Sequence, residues 1–149
     1  MSQPQSETVL LTGISGFLGG HVALALLEAG YNVRGSVRKL NKADRVADTL
    51  ARAGGDITRL SFVELDLTAD KGWDAAMEGA SHLLHTASPF VLKMPEDRNE
   101  LIRPAVEGTE RAIGAALRAG IKRIVLTSSM AAIAYGHDKT GSPTFTASD

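Results

Sequence analysis

Thr8-Val9-Leu10-Leu11-Thr12-Gly13-Ile14-Ser15-Gly16-Phe17-Leu18-Gly19-Gly20 is the stretch whose reading decides the fold. An apolar run enters it, and an amphipathic segment leaves it in which Leu18, Val22, Ala25, Leu26 and Ala29 recur at helical spacing until Gly30. That order predicts a strand, a glycine turn and a helix. Glycines spaced three apart, Gly13, Gly16 and Gly19, suit a loop that turns sharply, lets its backbone approach a diphosphate and packs a helix close to a sheet. The free amides of the helix N-terminus then face the anion.

The same pattern repeats outward. Strands are expected at Tyr31 to Arg38, Leu60 to Leu65, Ser81 to Thr86 and Ile121 to Thr127, the last apolar throughout as in a strand buried on both faces. Helices are expected over Asn41 to Ala53, Asp70 to Met77 with Trp73 and Met77 as its packing face, and about Asp97 to Ala119. Pro104 lies inside the last of these and predicts a kink or a late start. Alternating strands and helices imply right-handed βαβ units, hence an α/β, doubly wound parallel sheet of Rossmann type in one domain. The Ala-rich face from Pro104 to Ala119 has two readings, packing on that sheet or a homodimer bundle.

Composition narrows the function. With 16 basic against 17 acidic residues the net charge is −1, which gives no bulk electrostatic grip on nucleic acid or membrane. There is no cysteine for a disulfide, a thiolate metal site or a nucleophile. The balance is that of a cytoplasmic α/β protein, and no apolar run is long enough to span a bilayer. His21, His82, His85 and His137 lack metal-ligand spacing with Asp or Glu.

The end of the second strand addresses the choice of dinucleotide. An NAD site would place an acid about 20 residues beyond the glycines to accept from the ribose hydroxyls. This chain has Ser36 and Arg38 there, followed by Lys39, Lys42 and Arg45. A guanidinium at that point suits a 2′-phosphate, so the expected cofactor is NADP.

Taken together, Thr12 to Gly19, Val33 to Arg38, Asp66-Leu67, His85-Thr-Ala-Ser-Pro-Phe90, Arg103-Pro-Ala-Val-Glu-Gly-Thr109 and Val125-Leu-Thr-Ser-Ser129 resemble the extended short-chain dehydrogenase/reductases. The nearest likeness is to dihydroflavonol reductases, cinnamoyl-CoA reductases and NADPH-dependent aldehyde and ketone reductases. The resemblance implies a reductase of small-molecule carbonyl substrates. It places Ser15, Phe17 and Leu18 at the diphosphate with the three glycines, and Arg38 at the 2′-phosphate with Arg45 as a second candidate. Asp66 and Leu67 would meet the adenine, Thr86, Ala87 and Ser88 would border the nicotinamide half, and Thr127 joins the cofactor set.

Chemistry in these enzymes uses a serine that polarises the carbonyl, a tyrosine that donates the proton and a lysine that lowers the tyrosine pKa. Ser129 matches the serine. Tyr135 and Lys139 have the tyrosine-lysine spacing, but Gly136 and Asp138 between them and Gly141 and Pro143 beyond disfavour the helix that would put both on one face, so they are expected in a loop. The resemblance therefore places the Tyr-Lys helix and the substrate lobe beyond Asp149, in a reductase of roughly twice this length. Two other readings stay open: an NADP sensor without turnover, and a nucleotide-sugar epimerase or dehydratase.

Overall fold

The computed structural model describes residues 7–89, 95–137 and 144–146. Five strands form one parallel sheet in the order β3-β2-β1-β4-β5, with β1 at Thr8–Thr12, β2 at Asn32–Val37, β3 at Leu60–Glu64, β4 at His82–His85 and β5 at Arg123–Leu126. The chain starts in the middle, winds outward to β3, returns past β1 and continues to β5. The break in winding falls between β1 and β4, where a crevice opens at the carboxyl ends of the strands. Helices α1 (Phe17–Glu28), α2 (Ala43–Arg52), α3 (Trp73–Met77), α4 (Asn99–Arg118) and α5 (Met130–Ala134) fill the connections.

Side chains alternate along the central strands and feed a core on each face. On one face Leu10, Leu65, Trp73, Met77 and Leu83 pack with Ala112, Ala115 and Ala116 of α4. On the other, Leu11, Ile14, Val33 and Val37 pack with Ala23, Leu27 and Leu50 of α1 and α2. The small residues of α4 are thus covered by the sheet, and Trp73 and Met77 are the packing face of α3 as expected. Short helix α3 is held by Arg34 of β2, whose guanidinium donates to the carbonyls of Ala76 and Glu78 at 2.7 Å each, satisfying groups left open at a helix C-terminus.

Three expectations are corrected. Helix α3 starts at Trp73 rather than Asp70, because Gly72 takes φ 93° immediately before it. Helix α4 runs without interruption from Asn99 to Arg118 with Pro104 in its second turn, so there is no late start. Strand β5 is the sheet edge among the described residues, with Val125 and Leu126 each nearly half exposed, rather than a strand buried on both faces. Helix α5 was not anticipated. Tyr135 ends it in extended backbone and is largely exposed, in line with the loop reading, while Lys139 lies outside the described residues.

The ends of β1 and β4 are tied together by the hydroxyl of Thr12. It accepts from the amides of Thr86 and Ala87 at 3.1 Å each, and it lies 2.8 Å from Nδ1 of His85. With both lone pairs occupied, its one proton goes to Nδ1, so the neutral His85 ring carries its hydrogen on Nε2. That Nε2 has no hydrogen-bond partner among the described residues. His85 is buried, and burial pushes its pKa below the ordinary value of 6.5.

Two consequences are testable. The unfolded chain binds a proton at His85 before the folded chain does, so stability is complete above pH 6.5 and falls as the pH drops below it, by at most about 1.4 kcal/mol per pH unit. Denaturant melts between pH 7.5 and 5 should show this slope, and His85→Asn should flatten it; an unchanged slope in the variant would assign the effect elsewhere. Second, a methyl group at Gly19 would overlap the carbonyl of Gly13, lying 2.7 Å from its carbon. Gly19→Ala should cost about 3 kcal/mol or more in the same melts, and a cost under about 1 kcal/mol would show that the approach of α1 to the loop is not needed.

Candidate functional site

The loop between β1 and α1 forms one wall of a cavity of about 430 Å³ at the carboxyl end of the sheet. Gly13 makes the turn at φ 75°, and a side chain there would come within 2.9 Å of the Ala87 amide nitrogen and the Thr86 hydroxyl. The loop then closes through the Gly16 amide, which donates to the Gly13 carbonyl at 2.9 Å. Gly16 caps α1 with extended backbone and no side-chain hydrogen bond. The first-turn amides are therefore left without a side-chain acceptor, the arrangement that favours an anion. Gly16 and Ser15 line the cavity.

Phe17 and Leu18 do not bring their side chains into that wall. Phe17 is 88% exposed, with its ring 4.7 Å from that of His21, and Leu18 is about half exposed. What these two residues offer a ligand is backbone at the helix N-terminus. Gly19 is buried under the loop, which fixes the distance between α1 and the turn.

The opposite wall comes from the end of β2 and the turn after it. Ser36 and Val37 are buried there, and Arg38 and Lys42 line the cavity from exposed positions. Lys39 turns away and pairs with Glu64 at 4.0 Å, and Glu64 also accepts from the Leu40 amide at 3.1 Å. The structure thus sorts the basic residues: Arg38 and Lys42 face the cavity, whereas Arg45 sits on α2 outside its wall. Lys42 thus lines the cavity with Arg38, and the second candidate of the sequence reading, Arg45, does not. Lys42 ends a short 3-10 turn at Leu40–Lys42 that follows Arg38 and Lys39.

Asp66 and Leu67 close the cavity beyond β3. One carboxylate oxygen of Asp66 accepts from both the amide and the hydroxyl of Thr68 at 2.8 Å each. These bonds, with Arg38 and Lys39 nearby, hold its pKa below the usual carboxylate value, so it is anionic at neutral pH. Thr86, Ala87 and Ser88 complete the wall after β4. Phe90, the end of that motif, lies outside the described residues.

Ser129 and Thr127 lie in an adjoining groove rather than in this cavity. The groove runs between α4 and the end of β5, and it shares Thr86 and Ser88 with the cavity. Ser129 caps α5, its Oγ accepting from the Ala131 amide at 3.2 Å. That bond uses a lone pair and leaves the hydroxyl proton available to donate. No group of three or more His, Asp or Glu side chains suited to a metal occurs among the described residues, and no described helix is long and apolar enough to cross a membrane.

Residues 9–148 match the NAD dependent epimerase/dehydratase family. An uncharacterized oxidoreductase of Schizosaccharomyces pombe is 40% identical over 130 residues, covering 85% of this chain and 38% of its own length. Cinnamoyl-CoA reductase CAD2 of Medicago truncatula is 36% identical over 130 residues, covering 87% and 40% respectively. Among solved structures, Gre2 of Candida albicans in complex with NADPH superposes with a TM-score of 0.71 at 33% identity over 85% of this chain and 38% of that one. The chain thus spans about two fifths of the length of these relatives. With the glycine loop, the parallel sheet and this match in agreement, the chain belongs to the NAD dependent epimerase/dehydratase family.

Proposed function

We propose that these residues are the NADP-binding domain of a carbonyl reductase, one that reduces an aldehyde or ketone to an alcohol. The observation that carries the reading is the pair Arg38 and Lys42 on one wall of the cavity, with no acid at the end of β2 to accept from a ribose. The site fits the cofactor in each of its parts. The uncapped α1 N-terminus suits the diphosphate, and Arg38 and Lys42 suit a 2′-phosphate. The Asp66 carboxylate and Leu67 suit adenine, by accepting from its exocyclic amine and by packing. Thr86, Ala87 and Ser88 border the end nearer Ser129.

When bound, NADPH supplies a hydride from C4 of its nicotinamide. The chain's own contribution is to bind, orient and polarise. Ser129 donates a hydrogen bond from its hydroxyl to the substrate oxygen in the groove beside Thr86 and Ser88, stabilising negative charge as it develops there. The resemblance to the extended reductases implies that a tyrosine supplies the proton that completes the alcohol. The same cavity without turnover would serve an NADP sensor. An epimerase or dehydratase is disfavoured by Arg38 in the place of an acid.

Calorimetric titration separates these readings in part. NADP should bind at least about tenfold more tightly than NAD, with Arg38→Ala and Lys42→Ala each removing about tenfold or more of that preference, a charge-assisted phosphate contact in each case. Ser129→Ala should leave NADP affinity within about twofold, since Ser129 sits in the adjoining groove. Equal affinity for NAD and NADP, or an Arg38 variant that keeps the preference, would overturn the assignment of the basic turn.

A further inference from the structure

Helix α4 lines the cavity through Pro104 and packs against Leu67, the residue assigned above to the adenine. Gly108 is buried in α4 beneath Leu67. A Cβ added at 108 would lie 2.8 Å from the Leu67 Cβ, 3.0 Å from its Cδ2 and 3.3 Å from its Cγ. The first of these distances involves the root of the side chain, so rotation about the Leu67 side-chain bonds cannot relieve it; the loop itself would have to move toward the cavity that Leu67 lines.

One turn further along α4, Arg111 holds the same loop by its backbone. Its Nη1 donates to the Leu67 carbonyl at 2.9 Å. The guanidinium is in turn fixed by Asp70, through Nε, and by Glu107 at 3.3 Å. Leu67 is therefore located twice, by a missing side chain and by a fixed donor, and Asp66 precedes it directly in the chain.

We propose that Gly108 and Arg111 are positioning residues for the adenine subsite, setting the width of the slot for an adenosine 2′-phosphate through Leu67. The inference rests on the cofactor reading given above. Helix propensity alone favours alanine over glycine at 108, so a loss of binding on Gly108→Ala reports the contact rather than the helix.

The test is a double-mutant cycle with adenosine 2′,5′-bisphosphate, which carries the adenine and the 2′-phosphate without the nicotinamide half. In calorimetry on the whole chain, Gly108→Ala should weaken this probe by about tenfold. In a Leu67→Gly background, where the added methyl has room, the same substitution should change affinity by less than about twofold. Arg111→Met releases the Leu67 carbonyl without adding volume at 108, and it should weaken the probe by about fivefold with an unchanged circular dichroism spectrum. An equal effect of Gly108→Ala in both backgrounds, or unaltered affinity in Arg111→Met, would overturn the inference while leaving the cofactor reading intact. Failure of the unaltered chain to bind the probe would overturn both.

Discussion

The structure depends on how closely α1 approaches the turn that precedes it. Because nothing but hydrogen stands on the Cα of Gly19, the helix rests against the carbonyl of Gly13. Its N-terminus is thereby held at the carboxyl end of β1, where the parallel sheet leaves a crevice. The same turn meets the end of β4 through Thr12, whose single hydroxyl collects two amides and a histidine nitrogen. Backbone groups that would otherwise stay open in two separate loops satisfy one another instead, and the floor of the cavity becomes one connected unit.

On that floor the charges are arranged unevenly. Glu64 takes up Lys39 and the Leu40 amide, which leaves Arg38 and Lys42 to face the cavity. Asp66, kept anionic by Thr68, is the acid in the cavity wall. A ligand with a phosphate at one end of an adenosine and hydrogen-bond donors on the base meets complementary groups at both. This complementarity rests on Arg38, Lys42 and Asp66 in a chain whose net charge is only −1, so it is a property of the site and not of the molecule.

Much of this was legible from residue order. The glycine loop, the five strands and the absence of an acid after β2 follow from periodicity and residue type, which local geometry controls. Which basic residues line the cavity did not follow, since Lys42, in the 3-10 turn, lines it with Arg38 whereas Arg45, on α2, does not. The place of Gly108 was equally hidden, since its reason is a leucine 41 positions earlier that only the fold brings against it. The apolar run of β5 reads as a strand covered on both faces, and among the described residues Val125 and Leu126 stand nearly half exposed on the last strand of the sheet. Of the two outcomes expected of Pro104, the late start is excluded, because α4 already begins at Asn99.

The central claim is that one cavity, walled by the glycine loop, the basic turn and the end of β4, receives NADP. The most direct measurement is an amide chemical-shift map of the labelled chain as NADP is added. Shifts should concentrate at Ser15 to Leu18, Arg38 to Lys42, Asp66 to Thr68 and Thr86 to Ser88, with residues of α2 beyond Arg45 silent. Shifts confined to another face, or spread evenly over the sheet, would contradict the placement of the site.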